Sequence, residues 1–250
     1  TKLVSIIWGQ SEIGTLQPIQ EIGRECMDKG IIFHVDATQI ISNGIFKWKE
    51  LNCDLLSLSA HKFGGPKGIG ILLTKNSSRK ILTNSDISKS HEYSIRAGTQ
   101  ALPLISGLYQ ALINIKGRIL HIEDKICFKN NETTSIRDYL IYKFKTNNKI
   151  EITGSLIQRL PNHLSFILLN KNFKPIESYK VINFMSDNNI AISSGSACSS
   201  FSKEPSIILN KLNLEKNKLH SNIRVSFSIE NRFNQVDKFY DLILECINNF

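Results

Sequence analysis

Apolar residues fall in short, dense runs through the first third of the chain, with polar turns between them. Residues 4–8 (Val-Ser-Ile-Ile-Trp), 31–35 (Ile-Ile-Phe-His-Val), 51–58 and 69–73 have strand length and are bounded by breakers, so they read as strands. Between the first two, Pro18 opens a helical pattern over 19–28 with Ile22 and Cys26 on one face, and Gly30 supplies its stop. Strand, helix, strand with nearly continuous apolar strands predicts an α/β layer: a central, mostly parallel sheet covered by helices on both faces.

The pattern then changes. Residues 74–94 are polar and irregular and read as an exposed loop, and a long helical region is expected from 104 to about 129. Strands at 150–153 and 164–169, a helix at 176–188, short strands at 190–193 and 223–228 and a closing helix at 235–248 follow. This predicts an α/β unit over 1–116 and a small α+β unit over 117–250.

Composition narrows the classes. A chain of 250 residues with 41% hydrophobic content can bury a large core. No apolar run approaches the ~18 residues needed to span a bilayer, and no charged-then-apolar leader opens the chain, so a soluble, cytoplasmic protein is expected. The chain begins in strand-like sequence without an initiator Met, which reads as a piece of a longer chain. A net charge of +9 raises the question of nucleic acid. The lysines are spread along the chain without interleaved aromatics, so nucleic acid is not the expected partner. The five cysteines, Cys26, Cys53, Cys127, Cys198 and Cys246, are odd in number and never in CxxC spacing. That argues against a zinc site and a disulfide framework and fits a reducing compartment.

The candidate chemistry centres on Ser59-Ala60-His61-Lys62 and the Gly64-Gly65-Pro66-Lys67-Gly68 turn after it. A lysine between an apolar strand and a glycine turn has few polar neighbours, and desolvation makes its amine a usable nucleophile. The plain alternative is a surface lysine in a turn. Asp36, Gln39, Ser59, His61 and Lys62 all stand at carboxyl ends of strands, where α/β sheets bind ligands. A lysine amine, a neighbouring aspartate, and hydroxyl and imidazole donors are what pyridoxal 5'-phosphate requires. The lysine forms a Schiff base, the aspartate keeps the pyridine nitrogen protonated, and the other donors take the phosphate. Cys198 differs from the other cysteines because small and hydroxylated residues surround it, in Ser193-Ser194-Gly195-Ser196-Ala197-Cys198-Ser199-Ser200. Its thiol is read as unpacked rather than as a buried hydrophobe.

These stretches resemble the class V aminotransferase-like, pyridoxal-phosphate-dependent cysteine desulfurases. The matching runs are Glu12-Ile13-Gly14, His34-Val35-Asp36-Ala37-Thr38-Gln39, Ser59-Ala60-His61-Lys62, Arg96-Ala97-Gly98-Thr99, the Cys198 loop with Glu204-Pro205-Ser206, and His220-Ser221-Asn222-Ile223-Arg224-Val225-Ser226. They run in order along nearly the whole chain. The resemblance implies a fold type I pyridoxal-phosphate enzyme followed by a small α+β domain. It implies that Lys62 carries the cofactor, Asp36 pairs with the pyridine nitrogen, Gln39 hydrogen-bonds the ring hydroxyl, and Ser59 and His61 hold the phosphate. Thr99 would reach the phosphate of the other subunit of a homodimer, and Arg224 would clamp the substrate carboxylate. Cys198 would take sulfur from L-cysteine as a persulfide, leaving L-alanine. The sulfur would pass to an acceptor protein, an iron–sulfur scaffold or a tRNA-thiolation protein. A related lyase acting on selenocysteine, and a non-catalytic relative that docks a scaffold, are the alternatives.

The chain also departs from the family. Ser11 stands where the family places an asparagine near the cofactor ring, and residues 84–90 replace an expected glycine-rich run. The family's glycine-threonine phosphate loop and ring-stacking histidine are expected ahead of residue 1. The 250 residues alone are therefore expected to hold the cofactor weakly.

Overall fold

Alternation along the strands gives each sheet two unlike faces. The structure, a computed structural model, describes residues 1–79, 82, 92–116, 121–122, 126–127, 132–195 and 206–250. The chain divides into two compact units: Thr1–Gly9 with Gln17–Cys127, and Gln10–Leu16 with Phe128–Phe250.

In the first unit β1 (Leu3–Ile7), β2 (Ile32–Asp36) and β3 (Leu55–Ser59) run parallel, and β4 (Gly70–Thr74) closes the sheet antiparallel, in the order β1-β2-β3-β4. Helix α1 (Ile19–Asp28) matches the expected range and buries Ile19, Gly23 and Cys26. Phe33, Val35, Leu56 and Leu58 form the buried face of the sheet. Strand residues two apart share a face, so Ser5, His34, Asp36, Ser57 and Ser59 stand together on the other side, with Leu3 and Ile7. Leu55, the register partner of His34, shares that side at 8% exposure, while Leu3 and Ile7 on β1 are 53% and 49% exposed. The parallel-rich sheet with its helices is the mixed α/β architecture expected.

Three further expectations are corrected. Residues 51–58 are not one strand. Trp48–Leu51 form a 3-10 turn, Asn52 takes a left-handed conformation (φ 51°), and β3 starts only at Leu55. The left-handed Asn52 makes the break, and Asp54 begins the pairing with β2: its N–H donates to the Phe33 carbonyl at 2.8 Å and its carboxylate accepts the Phe33 N–H at 2.9 Å. The 74–94 stretch contains a short helix, α2 (Asn76–Arg79), and a 3-10 turn, Glu92–Ser94; most of what lies between is outside the described residues. The long helix from 104 to 129 is instead α3 (Leu102–Ile115) followed by the paired strands β5 (His121–Ile122) and β6 (Ile126–Cys127). Gly117, costly inside a helix, stands just after α3 in the sequence.

The second unit is a four-stranded antiparallel sheet in the order β7-β8-β10-β9: β7 (Ile150–Ile152), β8 (His163–Leu168), β9 (Ser193–Ser194) and β10 (Asn222–Ser226). Helices α4 (Glu132–Lys145), α5 (Ser178–Asp187) and α7 (Phe233–Asn249) contribute to one apolar cluster with Leu164, Phe166, Leu168, Ile223 and Val225 of the strands. A short helix, α6 (Ile207–Lys211), is capped by the Ser206 hydroxyl, which accepts the Ile208 and Leu209 N–H groups. Helix α4 occupies a stretch given no element above, although Ile136, Leu140, Ile141 and Phe144 recur at helical spacing and are all buried. Among the described residues no helix is long and apolar enough to cross a membrane.

Phe166 is fully buried, edge-on to Phe144 at 4.7 Å and to Phe239 at 6.5 Å. Phe166→Ala should destabilise the protein by about 3–5 kcal/mol. Urea unfolding followed by near-ultraviolet circular dichroism measures this. A loss below about 1 kcal/mol would mean that the ring is not the centre of this core.

Candidate active site

The first unit brings part of the expected set to one end of its sheet. Asp36 ends β2, and its register partner on β3 is Ser57, with the Ala37 N–H donating to the Ser57 carbonyl at 3.0 Å. One carboxylate oxygen of Asp36, Oδ1, accepts the Thr38 N–H at 2.9 Å. Oδ2 takes no donor among the described residues. Beyond Ser57 the strand runs into a 3-10 turn, Ala60–Lys62. There the Ser59 hydroxyl and His61 Nδ1 hydrogen-bond at 2.8 Å. Lys62 is half-buried and has no hydrogen-bond or ion-pair partner among the described residues. Gln39 follows β2, and its carbonyl accepts from Ser42 Oγ and Asn43 Nδ2. Thr99 is exposed in a loop where Arg96 donates to the Gly98 and Thr99 carbonyls.

His34, beside Asp36 on the same strand, carries no role in the sequence reading. Its Nδ1 meets Ser5 Oγ at 2.7 Å and its Nε2 meets Ser57 Oγ at 3.1 Å. The imidazole thus ties the three parallel strands together one step before Asp36. Period-2 placement of His34 and Asp36 was the signal that could have found it.

Arg224 and Ser11 belong to the second unit. Strand residues Arg224, Ser165 and Ser193 are register partners across β10, β8 and β9. They stand on the face opposite the apolar cluster, with His163, Asn222 and the neighbouring Thr153. Thr153 Oγ1 bonds to Ser165 Oγ at 2.7 Å and Asn222 Oδ1 at 2.8 Å, all three side chains being buried. Arg224 Nη1 donates to the Ser11 carbonyl at 3.2 Å and Nη2 to Ser193 Oγ at 3.0 Å. Its Nε is buried without a partner among the described residues. Burial draws the guanidinium below its usual pKa, and the Glu12 carboxylate acts against that. Glu12 is itself buried, with Oε2 unpartnered among the described residues.

The segment Gln10–Leu16 is seated here by specific contacts. Leu16 N–H donates to Gln158 O at 2.9 Å, Leu160 N–H to Gly14 O at 2.8 Å, and Ser155 N–H to Thr15 Oγ1 at 3.1 Å. Gly14 (φ 72°) packs so closely that a Cβ would collide with His163 Nδ1, and one on Gly154 (φ 77°) would collide with the Ile13 carbonyl. His163 Nε2 lies 3.0 Å from the Ser11 carbonyl. A carbonyl only accepts, so Nε2 carries the proton and Nδ1 is bare. His163 was not singled out from sequence, and Glu12 and Ser193 were named there only within matching runs, without a role. A histidine two places before Ser165 in an otherwise apolar strand was the available signal.

Cys198 and the rest of its loop from 196 to 205 lie outside the described residues, as do 84–90. Cys26, Cys53 and Cys246 are buried free thiols. Burial pushes Cys53 up to about 11 and Cys246 up to about 12. Neither is a thiolate at neutral pH, which removes both as nucleophiles.

The model of the aminotransferase class-V family matches residues 1–239. The chain belongs to that family. It is 38% identical over 226 residues to the cysteine desulfurase IscS of Ehrlichia chaffeensis, covering 90% of this chain and 52% of that protein. To the IscS of Colwellia psychrerythraea it is 35% identical over 249 residues, covering 100% of this chain and 58% of the relative. Among solved structures, a NifS-like protein from Rickettsia africae superposes with a TM-score of 0.79 at 26% identity, over 98% of this chain and 61% of that one. SspA in complex with cysteine superposes at 0.63 with 27% identity, over 90% of this chain and 58% of that one. The chain therefore spans somewhat more than half the length of these relatives. Its fold is the α/β fold of the NifS-like enzymes, as the sequence led us to expect.

Enzymes of this family depend on pyridoxal phosphate, and the donors of the first unit fit it. Among the described residues Asp36 has a carboxylate oxygen without a donor for the ring nitrogen, Ser59 and His61 form a hydroxyl–imidazole pair suited to a phosphate, and Lys62 is an amine with no competing partner.

The buried imidazole has a solution consequence. Burial, then the charge of Arg159 and, more weakly, that of Arg224, push His163 down to about 3. The unfolded chain takes up this proton below about 6.5 while the folded chain does not. Stability from His163 is thus constant above about pH 6.5 and lost progressively as pH falls toward 3, at up to ~1.4 kcal/mol per unit. His163→Gln should flatten that part of the pH–stability curve in urea titrations. An unchanged slope between pH 6 and 4 would show that this imidazole is not the buried neutral group described.

Proposed function

We propose that this chain is the part of a pyridoxal-phosphate-dependent cysteine desulfurase that carries the cofactor lysine, the substrate-carboxylate arginine and the sulfur-accepting cysteine. The observation that carries the reading is the end of the first sheet. Asp36 and Ser57 are cross-strand partners, and the strand end and the turn after it present the Ser59–His61 pair and a Lys62 unengaged among the described residues. The cysteine desulfurase names of relatives at 35–38% identity support it.

In this reading Lys62 holds the cofactor covalently and moves protons during turnover. Asp36 keeps a proton on the ring nitrogen, Gln39 bonds the ring hydroxyl, Ser59 and His61 take the phosphate, and Ser11 stands near the ring. The cofactor, when bound, supplies an electron sink for carbon-centred charge. Thr99 reaches the phosphate of the second subunit in a homodimer. Arg224 takes the carboxylate of L-cysteine, for which its planar fork is suited. The Cys198 thiolate attacks the substrate sulfur. An S–S bond forms as the substrate C–S bond breaks, that electron pair stays with the substrate carbon, and the carbon takes a proton. The products are L-alanine and a persulfide on Cys198. The persulfide then passes its outer sulfur to an acceptor protein, in iron–sulfur cluster assembly or tRNA thiolation, in the cytoplasm. The domain division at about residue 116 expected from sequence belongs to the same proposal.

Two substitutions test this in the protein at its natural length. Lys62→Ala should abolish alanine release and end borohydride fixation of the cofactor at residue 62. Fixation that persists at another lysine would refute the assignment. Cys198→Ser should keep the cofactor spectrum and lose desulfuration. Mass spectrometry after incubation with L-cysteine should find one extra sulfur on Cys198 of the unaltered protein. Extra sulfur on Cys26, Cys53, Cys127 or Cys246 instead would remove the role given to this loop.

A further inference from the structure

The Ser11 carbonyl is a point where two buried donors meet. His163 Nε2–H lies 3.0 Å from it and Arg224 Nη1 3.2 Å. We propose that His163 is a positioning residue for recognition of the substrate carboxylate, holding the Ser11 carbonyl where that carbonyl fixes the Arg224 guanidinium. The inference rests on the reading of Arg224 as the carboxylate clamp.

Arg224 has two anchors. The first, Ser193 Oγ, belongs to the sheet: Ser193 is the register partner of Arg224 across β9 and β10, so its place is set by the ladder. Ser11, the second, is in no strand or helix but in a turn. The peptide after Ser11 is held on its N–H side by Gln10 Oε1, which accepts from Glu12 N–H; a second donor on the carbonyl side, beside the guanidinium, makes that carbonyl a fixed post. His163 is such a donor, because it sits in strand β8, is 4% exposed, and has its ring against Gly14 where no Cβ fits. The neutral imidazole this requires is the form that burial, then the Arg159 and Arg224 charges, favour, and the Ser11 carbonyl sets its Nε2–H tautomer.

Binding of a carboxylate by a planar fork depends on the orientation of that fork. Without the His163 donor, Arg224 keeps one fixed anchor of two. The loss is one hydrogen bond, so recognition of the carboxylate should weaken roughly three- to tenfold. The change should appear in KM with kcat nearly unchanged, the signature of binding that is equal in ground and transition states.

The test uses the cofactor-loaded protein at its natural length, with L-cysteine as substrate and cysteamine, which is cysteine without its carboxylate, as competitor. His163→Leu removes the donor and should raise KM roughly three- to tenfold, leaving kcat and cysteamine inhibition within about twofold of the unaltered protein. In His163→Gln the amide N–H reaches about as far as Nε2, so KM should return to near its original value. If His163→Leu does not fold, His163→Asn replaces it: the same amide on a shorter stem should show the raised KM that His163→Gln lacks. Arg224→Gln is the control and should raise KM further, again without changing cysteamine inhibition. A normal KM in the donor-lacking variant beside a raised KM in Arg224→Gln overturns the positioning role and leaves the clamp standing. A fall in kcat, or cysteamine inhibition weakened as much as cysteine binding, means that His163 only supports the fold. An Arg224→Gln protein with unchanged KM removes the clamp reading, and this inference with it.

Discussion

Both sheets depend on one constraint: successive strand residues point to opposite faces, so one strand must serve a dry core and a polar surface at once. In the first unit Phe33 and Val35 go into the core while His34 and Asp36, between and after them, go to the opposite side. In the second, Leu164 and Phe166 join the apolar cluster while His163 and Ser165 face away from it. Every strand residue given a chemical role stands on one of these polar faces. The buried faces fix the register, and the register places the chemistry, because a slip by one residue would send Asp36 or Arg224 into the core.

The polar face of the second unit is mostly buried, which is costly unless its groups find partners. Thr153, Ser165 and Asn222 satisfy much of one another's demand, and Arg159 and Arg137 turn their guanidinium groups onto the carbonyls of Thr153, Ser155, Arg159 and Leu160. Burial pulls Arg159 down to about 10, helped by the charge of Arg137. Gln10–Leu16 helps complete this arrangement, since the Ser11 carbonyl accepts from both His163 and Arg224. The segment leaves the first unit after Gly9 and returns to it at Gln17. The Glu12-Ile13-Gly14 run is thus a packing element as well as a family signature. Its glycine has a plain steric cause in the His163 ring.

The thiols separate along the same physical line. Cys53 and Cys246 are buried among apolar groups, and desolvation raises both well above neutrality. They behave as small hydrophobes. Small and hydroxylated neighbours give Cys198 the opposite surroundings in the sequence, which is why a reactive thiol is assigned there.

The sequence by itself determined the strand–helix–strand order of the first unit, helix α1 to the residue, the family, and the strand-end position of Asp36 and Lys62. All of these follow from local periodicity, turn residues and contiguous motifs. It misjudged 104–129 as one helix and 51–58 as one strand, because apolar content alone does not locate a break made by a left-handed Asn52 or by a short hairpin. Only the tertiary structure decided which residues share a site in space. Ser11 and Arg224 are 213 positions apart, and Ser11 and His163 are 152 apart. No periodicity links such residues. Antiparallel register, a glycine without a Cβ and a carbonyl that accepts from two sides bring them together, and each of these exists only once the chain has folded.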